Sequence, residues 1–98
     1  MPIDYKDPVK YIEYTGKTVH GNTYAEPVDK LAKYVGGINT MVPQGNSFRE
    51  EHRLLYFCNF KVKNTDKFVV DGDELFVKQC ERVVDIFGNT EYWRVELK

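Results

Sequence analysis

Two turn dipeptides, each flanked by alternating apolar residues, restrict what this chain can fold into more than any other feature. Lys67-Phe68-Val69-Val70 leads into Asp71-Gly72, and Asp73-Glu74-Leu75-Phe76-Val77 leads out. Asp-Gly tolerates positive φ at both central positions of a type I′ turn. With that pair as the loop, Val70 faces Asp73 and Phe68 faces Leu75. The pleat then puts Phe68, Val70, Leu75 and Val77 on one face. A second hairpin follows, with Gly88-Asn89 between Glu81–Phe87 and Thr90–Leu97. With Gly88-Asn89 as the loop, Val84 pairs with Trp93 and Cys80 with Leu97. Cys80, Val84, Ile86, Trp93, Val95 and Leu97 then share a face, and Arg82 interrupts it by snorkelling at an edge. Hairpins whose registers agree with their apolar faces predict an all-β chain, with these residues as its core.

The first half is less regular. Val9–Thr15 reads as a strand, joined through a polar connection closed by Gly21-Asn22 to a second strand near Tyr24–Tyr34. Within Val28–Val35, Leu31, Tyr34 and Val35 fit a helical turn, while Val28, Lys30, Ala32 and Tyr34 fit a strand. The strand is preferred because Gly36-Gly37 cuts the segment short. Gly36–Ser47 has no steady period and reads as either a long hairpin arm or a loop. Glu50–Cys58 reads as a core strand, and Asn59–Asp66 as a polar connection.

A chain of 98 residues makes one domain, spanning residues 1–98, with a modest core. Seven Tyr, six Phe and one Trp favour strands. The net charge of −1 comes from interleaved acidic and basic residues. No basic stripe marks a nucleic-acid or membrane surface. Met1–Tyr5 lacks the features of a secretory leader, and no apolar run approaches the ~18 residues that span a bilayer. Cys58 and Cys80 lie in apolar runs without a Cys-x-x-Cys spacing, so free thiols acting as small hydrophobes are expected. These features predict a soluble protein of a reducing compartment.

Catalytic and ligand motifs fail on spacing. Gly16-Lys17-Thr18 suggests a phosphate loop, but that loop needs a glycine at the position held by Tyr11 and a helix after the lysine. Lys17 and His20 are therefore expected in solvent. His52 beside Glu51 has no further ligand at metal spacing. Asp71-Gly72-Asp73-Glu74 crowds three carboxylates, but without the order of a calcium loop. Ser47, the only serine, sits in no nucleophile elbow. Tyr92-Trp93 has no basic groove to accompany base stacking. No catalytic residue, metal or cofactor is assigned, and the expectation is a non-catalytic protein.

The order of features resembles a known family. Tyr14-Thr15-Gly16 is followed by Gly21-Asn22 and Tyr24-Ala25-Glu26-Pro27-Val28. Later come Asp66-Lys67-Phe68-Val69-Val70-Asp71-Gly72, then Val83–Asn89, and finally Tyr92–Leu97. This pattern, over residues 9–35 and 62–97, is similar to the small head–tail joining proteins of siphophages and prophages (the head-closure, head–tail adaptor and minor capsid group). The resemblance implies a small twisted, SH3-like β-barrel of five to six antiparallel strands, with a long loop or arm around residues 36–48. It implies a virion protein, assembled in the bacterial cytoplasm, that forms a ring between portal or adaptor and tail and helps close the filled head. The partners would be portal, adaptor and tail proteins and further copies of the chain, with a monomer in isolation. The arm, carrying Ile38, Met41, Val42 and Phe48, would supply subunit contacts by strand addition. A near-neutral chain also suits a channel through which DNA slides. The alternatives are a tail completion protein or a host SH3-like module binding a peptide or small ligand in an aromatic groove around Tyr11, Tyr34 and Tyr56.

Overall fold

The computed structural model describes residues 3–98. It is all-β, with eight strands in chain order: β1 (Asp7–Ile12), β2 (Tyr14–Thr18), β3 (Gly21–Tyr24), β4 (Val28–Gln44), β5 (Ser47–Cys58), β6 (Lys67–Val70), β7 (Asp73–Val84) and β8 (Thr90–Leu97). Six of them close an antiparallel barrel in the order β1-β4-β5-β8-β7-β6, and β6 returns to β1. Strands β2 and β3 form a separate hairpin. Closure removes the free edges that an open sheet of this size would expose.

The β6–β7 turn has the geometry that its dipeptide demands. Asp71 and Gly72 have φ of 51° and 85°, and Phe68 pairs with Leu75 and Val70 with Asp73. The β7–β8 connection differs from the sequence expectation. Cys80 pairs with Val95 and Arg82 with Trp93, not Val84 with Trp93. The Asp85 carboxylate is the cause. Its Oδ1 accepts from the N–H groups of Phe87 (2.8 Å) and Asn89 (2.9 Å), and the Asp85 N–H donates to the Asn89 carbonyl. These bonds make a five-residue loop where a two-residue turn was expected. Val84 is therefore exposed, and Ile86, 92% exposed, lies at the loop tip, not in the core.

The core gathers Val9, Tyr11, Ala32, Tyr56, Cys58, Val62, Phe68, Val70, Val77, Val95 and Leu97. Leu75, Cys80 and Trp93 are half-buried against it. A bulge between Val77 and Gln79 inserts one residue, so Val77 and Cys80 both turn inward despite their odd spacing. Both thiols are free. Burial pushes Cys58 up to about 12, and the Cys80 thiol donates to the Val62 carbonyl.

The polar connection before β6 is less passive than its composition suggests. Val62 and Asp66 are fully buried, and Phe60 lies 5.2 Å from the Tyr11 ring. The Asp66 carboxylate accepts from the Tyr11 hydroxyl (2.5 Å), the Tyr14 N–H (2.8 Å) and the Lys63 N–H (2.8 Å). A buried carboxylate is tolerable only when its lone pairs are met in this way. The three bonds tie the start of β2 and the connection to β1. Burial, then the bond to Asp66, raises the Tyr11 hydroxyl well above its usual range.

The first hairpin also differs from expectation. Thr18 pairs with Gly21 and Lys17 with Asn22, so Val19-His20 makes the turn and Gly21-Asn22 begins β3. Lys17 and His20 are exposed. Val28–Val35 is strand, as preferred, and it continues without interruption to Gln44.

Candidate functional site

Strands β4 and β5 overrun the barrel. Strand β4 meets β1 only over Val28–Ala32, and β5 meets β8 only over Leu54–Cys58. Beyond that, Ile38 through Gln44 pair solely with Arg53 through Ser47. Seven pairs at ~3.3 Å each give a ribbon about 23 Å long. Gly45, with φ of 60°, turns it at the tip. The ambiguous segment is thus an arm, with a free backbone edge on each side.

Directly opposed residues in a ribbon share a face. One face carries Ile38, Thr40 and Val42 opposite Arg53, Glu51 and Arg49; the other carries Met41 and Pro43 opposite Glu50 and Phe48. The four arm residues marked in the sequence therefore separate. Ile38 and Val42 are half-buried on the first face. Met41 (61% exposed) and Phe48 (66% exposed) lie together on the second.

The root of the arm is braced by charge. Glu51, buried, bonds Lys98 (2.8 Å) and Arg53 (2.8 Å), and Arg53 reaches Glu96 (3.2 Å). Lys98 and Arg53 hold the Glu51 carboxyl down to about 2. This network binds the arm to the end of β8, so the ribbon leaves the barrel in a fixed direction. The His52 ring lies over Gly37, where a Cβ would come within 2.4 Å of it. Its Nδ1 sits 3.1 Å from the Asn39 amide oxygen.

The strand registers sort the loops onto two barrel ends. Asp7, Asp71-Gly72, Lys98 and the arm lie at one end. Strands β2 and β3, the 59–66 connection and the Asp85–Asn89 loop lie at the other. That second end also bears apolar tips, with Val19 97% exposed and Ile86 and Phe87 beside Asp85.

At the arm's root, Tyr34 and Tyr56 pack at 5.2 Å between ring centres and line an open groove of about 370 Å³ with Leu54, Val70, Asp7 and Asp71. Two of the three tyrosines of the expected aromatic groove therefore meet. Tyr11 does not join them, because its hydroxyl is committed to Asp66. Burial, then the charges of Asp71 and Asp7, pushes the Tyr56 hydroxyl up to about 12. Sequence spacing could not find Asp7 and Asp71, which the barrel brings together from strands far apart in the chain.

No protein-family model matches the chain, and no curated protein matches it.

Proposed function

We propose that this chain is a non-catalytic structural protein of a phage virion, working at the head–tail junction. In this reading, copies form a ring between the portal or adaptor and the tail and help close the head after packaging. The resemblance of its turn motifs to head–tail joining proteins motivates the reading. The observation that carries it is the pair of unlike protrusions at opposite barrel ends. One is the ribbon bearing Met41 and Phe48; the other is the set of tips bearing Val19 and Ile86. A joining piece must hold different partners above and below, and a ring needs one patch to meet a different patch on the next copy. The ribbon's free edges suit strand addition to a neighbour. The net charge of −1 suits a channel through which DNA must slide, since strongly basic walls would retain phosphates.

The experiment is deletion of the gene from the genome that carries it, followed by imaging of the particles. The expected result is DNA-filled heads without tails or heads that have lost their DNA, rescued by the intact chain in trans. Infectious, tailed particles lacking the chain would refute the proposal. A second reading, an SH3-like host module, is favoured by the Tyr34–Tyr56 groove. Flanking genes for portal, capsid and tail tube support the first reading; their absence supports the second.

A further inference from the structure

We propose that the groove at the root of the arm receives a lysine or arginine side chain carried on an extended segment of a partner protein. The inference holds whether the barrel works in a ring or alone. It starts from Tyr56, only 5% exposed. Among the described residues its hydroxyl has no hydrogen-bond partner, unlike that of Tyr11. Every side-chain polar atom fully sealed from solvent does have a partner among the described residues. The Tyr56 hydroxyl therefore opens into the groove it lines.

The same groove holds two carboxylates that no cation among the described residues neutralises. Asp7 Oδ2 accepts from the Tyr34 N–H (2.7 Å), which leaves Oδ1 for a ligand. Neither Asp7 nor Asp71 is in an ion pair among the described residues. Among the described residues Lys6 pairs with Asp4 at 3.8 Å, Lys10 with Asp29 at 3.0 Å, and Lys30 lies over the Phe60 ring at 5.1 Å. Two uncompensated carboxylates repel an anion. The exposed ring of Tyr34, backed by Tyr56, attracts a cation. Leu54, Val70 and Pro8 supply the apolar wall that an alkyl stem needs and a hydrated metal ion does not. An ammonium or guanidinium head on a three- or four-carbon stem satisfies all three, with charge-assisted bonds to the free carboxylate oxygens.

The groove also indicates how the cation is carried. It shares Pro8 and Asp71 with a second trough of about 460 Å³, whose apolar wall is Val9, Leu31 and Val69 and whose charged rim is the Lys10–Asp29 pair and Lys30. A free amine would leave this trough, and its Val9–Leu31–Val69 wall, empty. An extended peptide fills it with the residues flanking its lysine.

The test is an NMR titration that follows the Tyr34 and Tyr56 ring protons. The probes are the acetylated, amidated peptide Ala-Val-Lys-Val-Ala, the same peptide with norleucine or glutamate for lysine, and n-butylammonium chloride. The lysine peptide is expected to shift both rings and to bind at least about tenfold tighter than either analogue. Tyr56→Phe and Asp71→Asn keep the fold, since Asn also tolerates positive φ. They are expected to weaken the lysine peptide about threefold to tenfold. Equal binding of the norleucine or glutamate peptide, or no ring shift with any probe, overturns the cation site. Butylammonium binding as tightly as the lysine peptide overturns the assignment to a protein segment.

Discussion

Replacing Tyr11 with Phe removes one oxygen and almost no volume, yet it should be among the most damaging conservative changes in the chain. The hydroxyl is one of three donors to the buried Asp66 carboxylate. A hydrogen bond to a charged group contributes about 1.5–3 kcal/mol, and its loss leaves a sealed acceptor short of a partner. At about 2 kcal/mol, and about 4–8 °C per kcal/mol for a domain of this size, the midpoint of thermal unfolding should fall by about 8–16 °C. A domain whose whole stability is on the order of 5–15 kcal/mol would register that clearly. The assay is paired thermal and urea unfolding, with an unchanged urea slope showing that the unfolded state is not the cause. Tyr56→Phe is the internal control. Tyr56 is as deeply buried as Tyr11, but its hydroxyl bonds nothing among the described residues, so the change should cost under about 0.5 kcal/mol. Equal losses at the two positions, or a Tyr11→Phe midpoint within about 2 °C of the parent, would refute the reasoning.

Further outcomes follow from burial, charge and exposure. Phe68→Ala, at the centre of the core, should cost about 3–5 kcal/mol in urea unfolding, whereas Ile86→Ala at its loop tip should stay within about 0.5 kcal/mol. Glu51 has a folded value near 2 against an ordinary 4.5; a depressed acid stabilises above its unfolded value and loses that contribution as pH falls. The melting temperature should therefore drop between about pH 4.5 and 2, and Glu51→Gln should flatten that part of the profile. The double change Met41→Ser with Phe48→Ser should leave unfolding within about 1 kcal/mol; under the proposed head–tail role it should also remove the chain from purified phage particles, as read by mass spectrometry.

How much of this was legible in the sequence depends on whether a segment has a core face. Asp71-Gly72 announces its own register because Phe68 and Val70 must face inward and only one pairing allows it. The second hairpin misled because Gly88-Asn89 looks like a complete turn. The preceding Asp85 side chain gathers the loop amides first, and that competition leaves no mark in apolar spacing. The arm could not be separated from a loop by periodicity, since neither of its faces packs on the core and nothing forces alternation. Asp66 reads as part of a polar stretch, because its role depends on Tyr11, 55 positions away. Asp7 and Asp71 become neighbours of Tyr56 only when the barrel closes.

Residue-resolved amide exchange on the isolated chain, repeated after assembly with portal and tail components, tests the central picture of a closed barrel carrying a free ribbon. In isolation, amides of paired core positions such as Phe68, Cys58 and Val95 should exchange slowest, and the outward-facing amides of 38–53 should exchange near the rate of unstructured chain. After assembly, those outward amides should slow markedly. Slow exchange of the outward amides in the lone chain, or no slowing on assembly, would contradict it.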